Sequence, residues 1–201
     1  MNTPTQAERA LDLASRKGLL RARDLDALDV PRIVLTRLTA AGRLEKVGRG
    51  LYRLPGTQGS EHESLAAVAR RVPQAVFCLL TALQFHELTT QLPRQLWIAM
   101  PRGSHVPRIE YPPLKMVQMS QDVFTSGVEE HWHDDVMLRV TSVAKTVADC
   151  FKHRNKIGLD VALEALKDAR ARHKASVDDI WRYAKICRVA NVMRPYLESI
   201  G

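Results

Sequence analysis

Apolar and polar positions repeat along this chain with two different periods, and the places where the period changes mark out its elements. From Thr5 onward Ala7, Ala10, Leu11 and Ala14 recur at helical spacing, which predicts a first helix closed by Gly18. Thr5 and Glu8 stand as T-x-x-E, the spacing at which each side chain reaches the other's backbone amide. Leu25 and Leu28 mark a second short helix over Ala22 to Leu28, and Asp29-Val30 turns the chain into a third. Glycine would be usual at that turn, but aspartate also tolerates the left-handed conformation. In the third helix Pro31 suits the first position, Val34, Leu35, Leu38 and Ala41 form the apolar face, and Gly42 ends it. The period then shortens: Leu44 to Val47 and Leu51 to Leu54, joined by Gly48-Arg49-Gly50, predict a tight β-hairpin.

Arg32, Ile33, Thr36, Thr39 and Ala40 fall on the outer face of the third helix, with Arg37 at its flank. The hairpin adds Arg43, Lys46, Arg49 and Arg53 against a single acid, Glu45. A helix with a small, polar, basic outer face followed by a basic hairpin is the working half of a winged helix-turn-helix, whose helix enters the major groove.

Pro55 to Ser60 is turn-rich and predicts a boundary between a DNA-binding domain over 1–56 and a second domain over 57–201. Beyond it the pattern predicts a helix from Glu61 to Arg71 stopped by Pro73, and a buried strand from Ala75 to Leu80. Thr81 is placed to cap a helix over ALQFHEL. Strands over Gln95 to Met100 and Leu114 to Met119 flank a proline-rich exposed loop, Pro101 to Pro113. Val128 to Trp132 and Val136 to Val140 predict a hairpin turning at Asp134-Asp135. Four helical stretches follow: one capped by Ser142, one over Leu159 to Ala169, one opened by Ser176, and a last over Val189 to Ile200. The expected fold class is α+β: an N-terminal winged helix-turn-helix, then a mixed α/β domain with a small sheet and a helical C-terminal part.

A formal charge of +8 and a pI near 9.7 favour an anionic partner, nucleic acid first among them. No apolar run approaches the length of a membrane span, and the N-terminus lacks the pattern of a secretory signal, so a cytoplasmic protein is expected. Cys78, Cys150 and Cys187 are far apart in apolar surroundings and read as reduced core thiols. His131, His133, Asp134 and Asp135 are the cluster that could suggest a metal or acid–base site, yet they sit at a hairpin turn, where aspartate serves local hydrogen bonding. His86, on a mostly apolar helix, reads as a partly buried histidine. No phosphate-binding loop, dinucleotide fingerprint, nucleophile elbow or H-E-x-x-H is present. No enzyme, catalytic residue, metal or cofactor is therefore expected.

The helix–hairpin ending LYRLPG, then VFCLLTALQFHEL, PRQLWIAMPRG and TSVAKTVADCFKHRNKIGLDVALEAL, together resemble the antitoxins of the AbiE type IV toxin–antitoxin systems, the AbiEi family. The resemblance implies an antitoxin that binds and represses its own promoter as double-stranded DNA. Its C-terminal domain would oppose a nucleotidyltransferase-like toxin without requiring a stable complex. By position, the DNA-reading helix corresponds to Pro31 to Ala41 and the wing to Arg43 to Leu54. Arg32 and Thr36 are then the candidates for base edges and Ile33 for a thymine methyl. Arg37, Arg43, Lys46, Arg49 and Arg53 would meet phosphate or groove. Thr81 and Thr146, where the resemblance is dense, read as helix-cap and helix-face residues. Two other readings stay open: a winged-helix repressor with a ligand-sensing C-terminal domain, and a metal-dependent nucleic-acid-processing enzyme using residues 131–135.

Overall fold

The computed structural model describes residues 4–56, 61–91, 93–133 and 135–199. The chain divides into two compact units, Met1–Ser64 and Leu65–Gly201.

In the first unit, helix α1 (Gln6–Lys17) opens on the T-x-x-E pair as predicted. The Thr5 amide donates to the Glu8 carboxylate (2.7 Å) and the Glu8 amide to the Thr5 hydroxyl (3.2 Å). Strand β1 (Leu20–Arg21) follows, which the sequence pattern does not predict. Ala22–Leu28 is helical with the predicted bounds but is a 3-10 helix, begun by the Asp24 carboxylate accepting from the Arg21 amide (2.8 Å). Asp29 takes the left-handed conformation (φ 54°) in place of glycine. Helix α2 (Ile33–Ala40) starts later than predicted. Pro31 and Arg32 form a tighter turn before it, with their carbonyls bonded to the amides of Val34 and Leu35. Strands β2 (Glu45–Gly48) and β3 (Leu51–Arg53) make the hairpin, with a bulge between Lys46 and Gly48, and β1 pairs on the other side of β3. The sheet order is β1-β3-β2. Ala10, Ala14, Leu25, Leu35, Leu38 and Leu44 are among the residues closing the core beneath. Each buried leucine contributes about 1.5–3 kcal/mol of transfer free energy.

The second unit contains α3 (Glu61–Arg71, which begins before the division), β4 (Val76–Phe77), α4 (Leu79–Phe85), β5 (Leu96–Pro101) and β6 (Leu114–Met119). Then come α5 (Gln121–Thr125), β7 (Val128–His133), β8 (Val136–Thr141), α6 (Val143–Lys152), α7 (Arg154–Ile157), α8 (Leu159–Ala171), α9 (Val177–Ile186) and α10 (Ala190–Glu198). The five strands lie in the order β6-β5-β4-β8-β7. β5 with β6 and β4 with β8 are parallel, and the remaining neighbours are antiparallel. β5 is apolar throughout because both faces are covered: Leu96, Ile98 and Met100 join one core with α3, while Trp97 and Ala99 join the other with α6, α8 and α9.

Two predictions fail in this unit. The apolar run Ala75 to Leu80 is not one strand: β4 is two residues long, Leu79 turns the chain at φ 50°, and α4 begins there. Thr81 therefore lies inside α4 rather than capping it, and its hydroxyl accepts from the Trp97 amide (2.8 Å), tying helix to sheet. Ser142 and Ser176 do cap α6 and α9, accepting from the amides of Lys145 (3.3 Å) and Asp179 (3.0 Å). Residues 57–60 of the predicted linker and Asp134 of the predicted turn lie outside the described residues.

Candidate nucleic-acid interface

The solvent face of α2 follows from which residues its core withdraws. Val34, Leu35 and Leu38 are buried, which leaves Ile33, Thr36, Arg37 and Ala40 outside. Ile33 is 54% exposed, unusual for a large aliphatic side chain in a unit with an aliphatic core to receive it. Two assignments are corrected. Ala41, expected on the buried face, is exposed beyond the end of the helix. Thr39, expected outside, turns its hydroxyl back onto the Leu35 carbonyl (2.8 Å) and is partly buried.

Arg32 occupies the N-cap of α2, and its guanidinium meets the Asp26 carboxylate at 2.9 and 3.3 Å. Both side chains are more than half exposed. Such a surface pair is worth about 0–1 kcal/mol, little enough for an incoming acceptor to displace Asp26. On the hairpin Arg43, Lys46 and Arg49 are exposed. Arg53 is held by Glu45, its cross-strand partner, at 2.9 Å, so the single acid of the hairpin pins one of its cations. Arg49 stands at the tip between Gly48 and Gly50. Gly50 takes φ 70°, and its carbonyl accepts from the Ala22 amide (2.8 Å), which anchors the tip to the start of the 3-10 helix. In the first unit α2 and the hairpin close on one core, and seven of the eight candidate side chains are exposed, with the eighth, Arg53, partly so.

The second unit holds a polar arrangement that the sequence did not disclose. Lys145 and Asp149 are 0% and 1% exposed, and the ammonium meets both carboxylate oxygens at 2.5 and 2.6 Å. Burial alone would depress the Lys145 pKa; Asp149 and the nearby thiols overcome that and hold it above the ordinary lysine value. The Cys187 thiol donates to Asp149 (3.3 Å), and burial beside that carboxylate pushes its pKa up to about 12. All three cysteines are free and buried. Thr146, expected on a helix face, is buried: its hydroxyl meets that of Thr141 at 2.7 Å and donates to the Thr141 carbonyl (3.0 Å). The trace in the sequence was Lys145 and Asp149 at i,i+4 within a mostly apolar stretch, Val143 to Phe151.

His86 is partly buried as expected, with its Nε2–H donating to the Thr141 carbonyl (2.7 Å), and burial holds its pKa below the usual histidine value. Lys174 and Arg172 donate to the carbonyls of His86 and Glu87, placing two cations at the end of α4. The histidine–aspartate cluster is dispersed. His131 pairs with Glu129 (3.3 Å), Asp135 with Arg70 (2.7 Å), and no group among the described residues could hold a metal ion. A surface hollow of about 300 Å³ at the α9–α10 turn is lined by Lys185, Arg188, Val189, Ala190, Asn191 and Val192, none of them a buried polar residue. No described helix is long and apolar enough to cross a membrane.

The whole chain is similar in fold to the Rv2827c protein from Mycobacterium tuberculosis, at a TM-score of 0.54 and 15% identity, covering 100% of this chain and 78% of that one. At that identity the likeness shows the fold alone. No curated protein matches the chain. Residues 8–55, which contain α2 and the hairpin, match the family model described as transcriptional regulator, AbiEi antitoxin, a family of regulators rather than enzymes. Over those residues, the chain is similar to the AbiEi antitoxin family of transcriptional regulators.

Proposed function

We propose that the chain is a type IV antitoxin that binds its own promoter through a winged helix-turn-helix and represses transcription, while its C-terminal part counteracts a nucleotidyltransferase-like toxin without a stable complex. The observation that carries the DNA-binding half is the exposed face Ile33–Thr36–Arg37 on α2 together with the exposed cations of the hairpin, within the segment that matches a regulator family. In this reading Arg32, released from Asp26, and Thr36 address base edges, and Ile33 lies against a thymine methyl. Arg37, Arg43, Lys46, Arg49 and Arg53 hold the phosphate backbone on either side. The division of labour falls at residues 57–60: residues 1–56 bind DNA and residues 57–201 oppose the toxin.

The test is binding of the full chain to the DNA upstream of its own gene, over a series of salt concentrations. Log affinity should fall linearly with log salt, by about 0.9 per phosphate neutralised. Thr36→Ala should cost up to about 1–3 kcal/mol at one base pair and leave scrambled DNA unaffected. Affinity flat with salt would reject the electrostatic interface. A triple Arg32→Ala, Arg37→Ala, Arg49→Ala variant, with the toxin supplied from an unrelated inducible promoter, addresses the second half. It should lose promoter binding and still rescue growth. A folded triple variant that fails at both would place protection in the winged helix.

A further inference from the structure

The five-stranded sheet ends on two unlike edges. Outer strand β6 carries Lys115, and its Gln118 Nε2–H donates to the Ser104 carbonyl of the proline-rich loop (2.8 Å). Among the described residues, outer strand β7 pairs with β8 alone; its charges are Glu129 and Glu130, and it lacks the lysine and proline that most often blunt an open edge. It carries instead Trp132, 71% exposed, and directly opposite on β8 lies Met137, 38% exposed. These are two of the five large hydrophobic residues that stand out among the described residues, and they are cross-strand neighbours.

We propose that β7 is the pairing edge of a homodimer, in which two copies of the chain join β7 to β7 antiparallel about a two-fold axis at His131. The charge pattern of the strand selects both the partner and the register. A two-fold axis normal to the sheet sets residues of one face opposite residues of the same face. Glu129, His131 and His133 share one face of β7, and Val128, Glu130 and Trp132 the other. With the axis at His131, Glu129 of each copy lies opposite His133 of the other, and Glu130 lies beside the other copy's Trp132. That axis sets only His131, a group neutral at pH 7, against its own copy; moving it to Glu130 keeps a glutamate–histidine pair, Glu129 with His131, but sets the Glu130 carboxylate against itself. Moving it to Trp132 faces His131 with His133 and leaves both glutamates without a histidine. Of these three registers, the one at His131 alone pairs glutamate with histidine without facing two carboxylates.

Trp132, 71% exposed, adds aromatic surface to the contact twice over by symmetry. Added to the strand pairing and Met137, this moves the interface toward the ~1,000 Å² expected of a specific one. The product is a continuous ten-stranded sheet. A dimer also supplies two reading helices, as helix-turn-helix proteins use on operators with two half-sites. The proposal deepens the DNA-binding reading in that respect, but it is tested without DNA.

Light scattering on the eluting full chain should give twice 22.6 kDa. Trp132→Lys, which installs the missing edge lysine at a site 71% exposed, should return a single-chain mass with unchanged circular dichroism. Glu129→Lys should weaken the dimer, and Glu129→Lys combined with His133→Glu should restore it. His131→Cys should cross-link to its own copy under oxidation, since the three native thiols are buried. A single-chain mass at every soluble concentration overturns the dimer, and if promoter binding persists, the DNA reading stands regardless. A dimer that ignores Trp132→Lys and does not cross-link through His131→Cys lies elsewhere on the chain and equally overturns the assignment. A confirmed β7 dimer that fails to bind promoter DNA would reject the DNA reading instead.

Discussion

In the N-terminal unit every member of the buried core cluster is aliphatic, from Ala10 to Leu44, and the charged side chains of α2 and the hairpin face solvent. The C-terminal unit does the reverse in one place: it encloses Thr81, Thr141, Lys145, Thr146 and Asp149. The first arrangement needs only apolar burial, so its surface can change to suit a ligand while the fold persists. The second joins α6 to the end of α9 through Asp149 and Cys187, and α6 to β8 through Thr146 and Thr141. Within such a network a single change strands a partner in a medium that cannot solvate it. Charge in the first unit is available for recognition; charge in the second specifies which helices meet.

The sharpest way to break that contrast is Lys145→Met. It leaves Asp149 buried and unpaired and should cost about 3–5 kcal/mol. Adding Asp149→Leu should recover most of the loss, because a buried ion pair is often replaceable by apolar side chains of similar volume. Urea unfolding followed by tryptophan fluorescence measures this cleanly, as Trp97, Trp132 and Trp181 all lie in the second unit. A double variant no better than the single one would mean that α6 needs the charges themselves.

Gly127→Ala should come next. An added Cβ would stand 2.7 Å from the Tyr183 ring and 2.9 Å from the Lys145 Cβ, at φ +61°. Overpacking of this kind costs about 1–3 kcal/mol, and the left-handed backbone adds to it. A neutral substitution would show that Tyr183 can swing away and that the packing over Lys145 is loose.

A smaller effect should appear with pH. Burial holds the pKa of His86 and of His153 below the ordinary histidine value, opposed at His86 by the Thr141 carbonyl. As pH falls through about 6.5 the unfolded chain binds these protons before the folded one does, so stability is full above that pH and declines below it. His86 and His153 both lie in the second unit, so these groups give the first unit no such decline. Melting the full chain between about pH 7.5 and pH 5 should lower the tryptophan-detected transition, and His86→Gln with His153→Gln should flatten it. An unchanged slope in that double variant would assign the pH dependence to other groups.

The smallest expected change is the one that separates the units most clearly. Arg37→Ala and Arg49→Ala should each alter stability by no more than about 0.5 kcal/mol, being exposed substitutions. Each should nevertheless weaken DNA of every sequence, and Arg49→Ala should lower the salt slope by about one unit. A stability loss well beyond that range would show that the proposed DNA-binding surface is also part of the fold.

Much of the first unit was legible because its signals are local. The T-x-x-E pair, the left-handed Asp29 and the glycine-flanked hairpin each depend on a few adjacent residues. Strand β1 was not, since two residues have no period and become a strand only by pairing with Leu51 and Tyr52. In the second unit the apolar run from Ala75 to Leu80 is compatible with either buried strand or buried helix, and the chain uses it for both. Most of the outer face of α2 could be read from spacing, but not the inward turn of Thr39 or the exposure of Ala41. The pairing of Arg32 with Asp26 and Arg53 with Glu45 could not, because it depends on where separate elements bring side chains together. Lys145 and Asp149 were hidden for the opposite reason: their spacing is that of an ordinary exposed helix pair, and only the packing of α6 beneath other helices makes them interior.

The bond from the Ala22 amide to the Gly50 carbonyl reaches beyond the fold of the hairpin. A tip fastened on both flanks, by its own strands and by the start of the 3-10 helix, has little conformational freedom left to lose when a ligand arrives. Its ordering entropy is met during folding, so association need not wait for the tip to find its shape. The Ala22 amide is correspondingly its reporter: its hydrogen should exchange with solvent only when the tip lifts, and that lifetime measures how rigidly Arg49 is presented.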